Sequence, residues 1–96
     1  MLIAISTYLK PLSELDVLRP AHLHFLKELI AQNKVLMAGR QEPVTGGIII
    51  AKMDSIEEFK TLLATDPFYI AGVAEYQIIE FNPAVFDERL AEFCSK

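Results

Sequence analysis

Ile48-Ile49-Ile50-Ala51-Lys52-Met53-Asp54-Ser55-Ile56-Glu57-Glu58-Phe59 is the stretch on which the fold turns. Three consecutive β-branched residues predict a strand over Ile48–Met53. Asp54 or Ser55 then supplies a helix N-cap, and Glu57 and Glu58 follow in the first turn, where the helix dipole favours acids. Ile56, Phe59, Leu62 and Leu63 recur at helical spacing and form the stripe that must be buried. Backwards from Ile48, Gln41–Gly47 with Pro43 and two glycines reads as a loop, and Val35–Ala38 as a short strand closing at Gly39. Before that strand, from about Leu12 to Asn33, the pattern is helical, with Leu18, Phe25, Leu26, Leu29 and Ile30 on one stripe. Pro20 fits only near a helix start, which places the beginning of the regular helix close to Arg19. Leu2–Tyr8, apolar and β-branched, is the first strand and stops at Lys10-Pro11. Forwards from Phe59, Thr65-Asp66-Pro67 ends the second helix, Phe68–Gly72 adds one more turn, and Val73–Phe81 is the fourth strand. Asn82-Pro83 then looks like an N-cap and first-position proline of a terminal helix carrying Phe86, Leu90 and Phe93.

The resulting order is βαββαβ: an α+β, ferredoxin-like arrangement with a four-stranded antiparallel sheet and an extra C-terminal helix. No repeat or linker divides the chain, so residues 1–96 form a single domain with 82–96 as its tail. Leu2-Ile3-Ala4-Ile5 and Ile48-Ile49-Ile50-Ala51 do not alternate in polarity, and a strand apolar on both sides needs cover on both faces. One layer of helices covers only one face. A homodimer joined through the sheet faces, of the dimeric α/β barrel kind, is therefore expected.

Composition narrows the function. Nine Lys and Arg against thirteen Asp and Glu give a net charge of −4, which argues against a phosphate-binding surface and hence against nucleic acid. The longest stretches free of charge, Met1–Leu9 and Pro43–Ala51, fall far short of the roughly 18 apolar residues of a spanning helix. Met1–Ile5 lacks a basic n-region and a cleavage site, so it reads as a strand and not as a signal peptide; a cytoplasmic protein away from the membrane is expected. Cys94 is alone, which excludes an internal disulfide and a Cys-based zinc site. There is no phosphate loop, no G-x-G-x-x-G and no G-x-S-x-G. His22 and His24 project about 200° apart on a helix and cannot chelate one metal together. Neither a cofactor nor a metal is expected.

The chemistry-bearing candidates each have two readings. His22 falls four residues after Leu18 and three before Phe25, on the buried stripe. It is either a histidine satisfied in the core or a general acid or base, since imidazole titrates near neutral pH. Arg19 lies one turn earlier on part of the same face and is a surface cation or a ligand contact. Asp66 before Pro67 is a cap for its own turn, or a carboxylate that orients an imidazole. Tyr8, Phe68, Tyr69 and Tyr76 are most simply core, with the tyrosine hydroxyls available to a pocket.

Arg19-Pro20-Ala21-His22-Leu23 and Asp66-Pro67-Phe68-Tyr69-Ile70-Ala71-Gly72-Val73 resemble the YciI (YCII-related) family. Ala38-Gly39-Arg40, Gly46-Gly47 and Ile48–Ala51 lie between them with that family's spacing, and the likeness runs from Met1 to about Phe81. The resemblance implies a ferredoxin-like dimer with a pocket centred on a His and an Asp, here His22 and Asp66, and it moves both to their functional reading. It also implies a cofactor-independent enzyme of lyase or isomerase type, similar to a dehydrochlorinase of a chlorinated hydroxyquinol. On that reading His22 moves a proton, Asp66 orients it, Arg19 holds an anionic oxygen, and Tyr8 and Tyr69 contribute to binding a small, anionic or hydroxylated aromatic ligand. A binding or interaction module with the same pocket, and a heme-free ring oxygenase of the wider dimeric α/β barrel class, are the alternatives. The chain departs from the family at Gly39-Arg40, where many relatives have Gly-Pro, and in its tail. Arg40 either selects an anionic substrate or pairs with an acid.

Overall fold

A computed structural model describes residues 1–94. Strand β1 (Leu2–Tyr8) is followed by helix α1 (Leu12–Ala31), β2 (Val35–Arg40), β3 (Gly47–Ala51), α2 (Ile56–Leu63), the short α3 (Pro67–Ile70) and β4 (Ala74–Glu80). A single 3-10 turn (Glu88–Leu90) and the one-turn α4 (Ala91–Cys94) close the described chain. The sheet is fully antiparallel with strand order β2-β3-β1-β4. That is the ferredoxin-like α+β arrangement expected from the order of elements. No helix among the described residues is long and apolar enough to cross a membrane.

Strand parity decides which residues meet the helices. Leu2, Ala4 and Ser6 of β1 and Ile49 and Ala51 of β3 are buried, while Ile3, Ile5, Ile48 and Ile50 turn to the opposite face. The main core joins the buried β1 and β3 residues to Leu26 and Leu29 of α1 and Phe59 and Leu63 of α2. A smaller cluster gathers Leu15, Phe68, Val73 and Ala74. Ser55 is the cap of α2, its hydroxyl accepting the Glu58 backbone N–H at 3.1 Å.

Three expectations need correction. Helix α1 does not begin near Arg19 but runs from Leu12, with Pro20 inside it. Proline removes one backbone donor, yet the turns ahead of it are held because Leu15 is fully buried against Phe68, Val73 and Ala74. Ile30, expected on the buried stripe, is exposed, and Leu15 takes a place on that stripe instead. The C-terminal helix is also not as expected: residues 82–87 are not helical, and Asp87 caps only a 3-10 turn, its carboxylate accepting the Arg89 backbone N–H at 2.9 Å. So short a helix is marginal without an apolar face to bury, and Val85 and Phe86 are exposed. The end of the tail is tied to the core by Lys52, whose ammonium donates to the Glu92 carbonyl at 2.8 Å and lies 5.9 Å from the centre of the Phe93 ring. The last two residues of the expected tail, Ser95 and Lys96, lie outside the described residues.

Candidate functional site

Helix α1 presents two apolar stretches to the sheet, Leu15 with Leu18 in the smaller cluster and Leu26 with Leu29 in the main core. His22 falls between them, one turn from either side, with its side chain only 12% exposed. Its ring lies flat on Phe68, with centroids 3.9 Å apart and planes within 7°. Phe68 is fixed in turn by Asp66-Pro67: Asp66 is the N-cap of α3, its Oδ1 accepting the Phe68 backbone N–H at 3.2 Å, and Pro67 occupies the first helical turn. The turn closes at Gly72, whose φ of +70° suits glycine, with Val73 N–H donating to the Phe68 carbonyl at 3.1 Å.

The same Asp66 carboxylate meets His22. Nδ1 of the imidazole stands 2.7 Å from Oδ1. Oδ2 accepts the hydroxyl of Tyr76, from the middle of β4. Asp66 is thus fully buried and accepts from a backbone amide, an imidazole and a phenol, the satisfaction a buried carboxylate requires. Against an ionised carboxylate Nδ1 must carry its hydrogen, which leaves Nε2 as the nitrogen able to take or give a proton. Burial first, and then the charge of Asp66, push the Tyr76 phenol far above its ordinary value, so it acts there only as a donor.

Between α1 and the sheet lies a cavity lined by Ser6, Tyr8, Arg19, His22, Arg40 and Tyr76, with Leu26 and Ile49 behind them. Next to the lining residue Gly47, a Cβ on Gly46 would stand 1.7 Å from the Ser6 carbonyl oxygen, so only glycine lets this backbone approach β1. Gln41 ties the same loop to β1, its amide donating to the Ser6 carbonyl at 3.2 Å, and the Gly47 N–H donates to the Ser6 hydroxyl at 2.7 Å.

Arg19 and Arg40 both reach this cavity, and both lie near Oδ1 of Asp16, at 3.3 Å through Nε of Arg19 and at 3.6 Å through an Nη of Arg40. The Arg19 guanidinium sits 5.6 Å from the centre of the Phe68 ring, and its Nη2 is buried without a hydrogen-bond acceptor. Tyr8 packs edge-on against Phe68, centroids 6.2 Å apart. Tyr69 does not line this cavity. Successive residues of a helical turn diverge by about 100°, so with Phe68 directed into the core Tyr69 points outward, 49% exposed, into a separate groove with Ile56, Lys60 and Ile78. His24 is on the surface, 3.6 Å from Glu28.

Sequence reasoning singled out His22, Asp66, Arg19, Arg40 and Tyr8, all of which meet here, and missed Ser6, Asp16 and the role of Tyr76. The pairing of Ser6 with Tyr76 across β1 and β4 puts two hydroxyls side by side on the helix-facing side of the sheet. An alternation of Ala74, Tyr76 and Ile78 along β4 was the signal available for it. Among the described residues no group of three His, Cys, Asp or Glu side chains is placed to hold a metal ion.

A family model described as the YCII-related domain matches residues 1–82. The uncharacterized protein YjpA of Bacillus subtilis (strain 168) is 33% identical over 61 residues, 64% of this chain and 72% of that protein. Among solved structures, the 5-chloro-2-hydroxyhydroquinone dehydrochlorinase TftG of Burkholderia phenoliruptrix AC1100, in complex with 2,5-dihydroxybenzoquinone, matches with a TM-score of 0.70 and 25% identity. The match covers 84% of this chain and 93% of that one.

Proposed function

The chain belongs to the YCII-related family, and from that premise we propose that it is a small-molecule enzyme of lyase or isomerase type that moves protons with His22 and Asp66. The observation that carries this reading is the 2.7 Å contact of His22 Nδ1 with a fully buried carboxylate, beside a cavity that His22 itself lines. His22 Nε2 takes a proton from the substrate, and the electron pair left behind forms a new π bond. In an elimination the leaving group departs with its bonding pair, as chloride does in dehydrochlorination; in an isomerisation the proton returns at another carbon. Asp66 holds the imidazole in one tautomer and balances the imidazolium that forms. The like fold of a dehydrochlorinase seen with a hydroxylated quinone supports a hydroxylated aromatic substrate.

The unpartnered Nη2 of Arg19 supports an anionic oxygen on that substrate, because a buried donor left without an acceptor costs about 1–3 kcal/mol. Arg40 lies beside the same Asp16 oxygen, so two guanidiniums share one carboxylate at the cavity wall. Tyr8 flanks the ligand; Tyr69, on the outer groove, contributes only if substrate extends there. The working unit is a homodimer joined through the open sheet faces, as its exposed apolar rows suggest.

The test is a panel of chlorinated and chlorine-free hydroxyhydroquinones offered to the wild-type protein, with halide release and ring tautomerisation followed by NMR and binding followed by calorimetry. Turnover of one or more compounds is expected. Binding without turnover would assign the chain to the alternative, a non-catalytic small-ligand module, and absence of both would overturn the substrate class.

A further inference from the structure

Tyr76 is the one partner of Asp66 that neither the capping role nor the imidazole contact requires. Its ring packs against the main core from the helix-facing side of β4, and its hydroxyl alone reaches Oδ2. Phe68 N–H and His22 Nδ1 both fall on Oδ1, so Oδ2 has no other donor among the described residues. We propose that Tyr76 is a positioning residue of the proton-transfer site: its hydroxyl holds Oδ2, commits Oδ1 to His22, and so sets how strongly His22 binds its second proton. The proposal rests on the reading of His22 as the proton-moving group, but its test needs no substrate.

The physical argument is one of charge sharing. A carboxylate that receives a hydrogen bond at each oxygen has its negative charge partly neutralised, and it stabilises a neighbouring imidazolium less than a bare one does. Tyr76 is suited to this because burial and the Asp66 charge keep it protonated, so it donates throughout the range in which histidine titrates. The other charged or titratable groups around His22 are few. Arg19 and Asp16 lie on its own helix, Tyr8 on β1 and Arg40 on β2, while the cavity residues of β3 carry no titratable side chain. None of these is in hydrogen-bond contact with Asp66 among the described residues, so a change at the Tyr76 hydroxyl acts on His22 through that carboxylate.

The experiment is an NMR titration of the His22 ring in three proteins: wild type, Tyr76→Phe, and a protein with 3-fluorotyrosine placed at position 76. Phenylalanine keeps the packed ring and removes the donor; fluorotyrosine keeps the hydroxyl and makes it a stronger donor. The His22 titration is expected to move upward in Tyr76→Phe relative to wild type, and downward with fluorotyrosine. His24, on the far side of α1, serves as the internal control and does not move. If Tyr76 were only structural, Tyr76→Phe would melt earlier while both histidines titrated as in wild type, and the proposal would be overturned. A shift of His22 in both variants in the stated directions, in a protein that turns over none of the compounds, would leave the coupling of Tyr76 to His22 standing while the proposed turnover of those compounds fell.

Discussion

Asp66 does two jobs with one side chain, and the sequence displays only one of them. As the residue before Pro67 it is legible as a cap, and it does cap Phe68. Its contact with His22, 44 residues away, depends on α1 and the α2–α3 junction packing side by side, which no local pattern encodes. His22 stands out as a polar residue on an apolar stripe, a pattern that suits a satisfied core histidine as well as a catalytic one, and the family resemblance is what moves it to the functional reading. Tyr76 does not stand out, because an aromatic residue in a strand looks the same whether its hydroxyl is used or idle. Tyr76 makes a pH prediction. Its phenol is raised above the ordinary value of about 10 in the folded chain, so the unfolded chain loses that proton first. The stability this group contributes is full below pH 10 and declines above it. Denaturant unfolding measured from pH 9 to 11.5 should show a stability loss approaching about 1.4 kcal/mol per pH unit from this one group, and Tyr76→Phe should flatten the slope by that amount. An unchanged slope would place the phenol in solvent.

At the scale of elements, the four strands and two main helices were readable because each carries its own period: β-branched runs for the strands, and a 3.6-residue stripe with an identifiable cap for α2. The failures also have local causes. Pro20 reads as a start signal, but tertiary contacts of the preceding turns outweigh the lost backbone bond. Leu15→Ala measures that contribution: it should cost about 2–5 kcal/mol in chemical unfolding, as for a fully buried leucine, whereas a residue in a frayed segment ahead of the helix would cost almost nothing. The Asn82-Pro83 pair looked like a helix start and is not one, because a cap signal cannot create the apolar face that a short helix needs. Asp87, followed by Arg89, carries the cap that the structure uses: the Arg89 guanidinium and its backbone N–H both bond the Asp87 carboxylate and hold its titration below the usual value.

Across the whole molecule the helices cover one side of the sheet and leave Met37, Ile50, Ile3 and Ile79 in a row across all four strands on the other. Met37 and Ile79 are 51% and 41% exposed, a pattern that a chain working alone would not be expected to keep. The lack of polar alternation in β1 and β3 made this face legible from sequence. Sedimentation at micromolar concentration should give twice the 10.8 kDa chain mass for the wild type and a single chain mass for Ile50→Lys. A wild type that sediments as a folded monomer would refute the dimer. The proton-transfer assignment itself is tested most directly by His22→Ala, assayed for turnover of whichever hydroxylated compound the wild type converts and for binding of 2,5-dihydroxybenzoquinone. Turnover should fall by about 10²–10⁴-fold while binding stays within a few-fold of wild type. Turnover at the wild-type rate in His22→Ala would contradict the assignment.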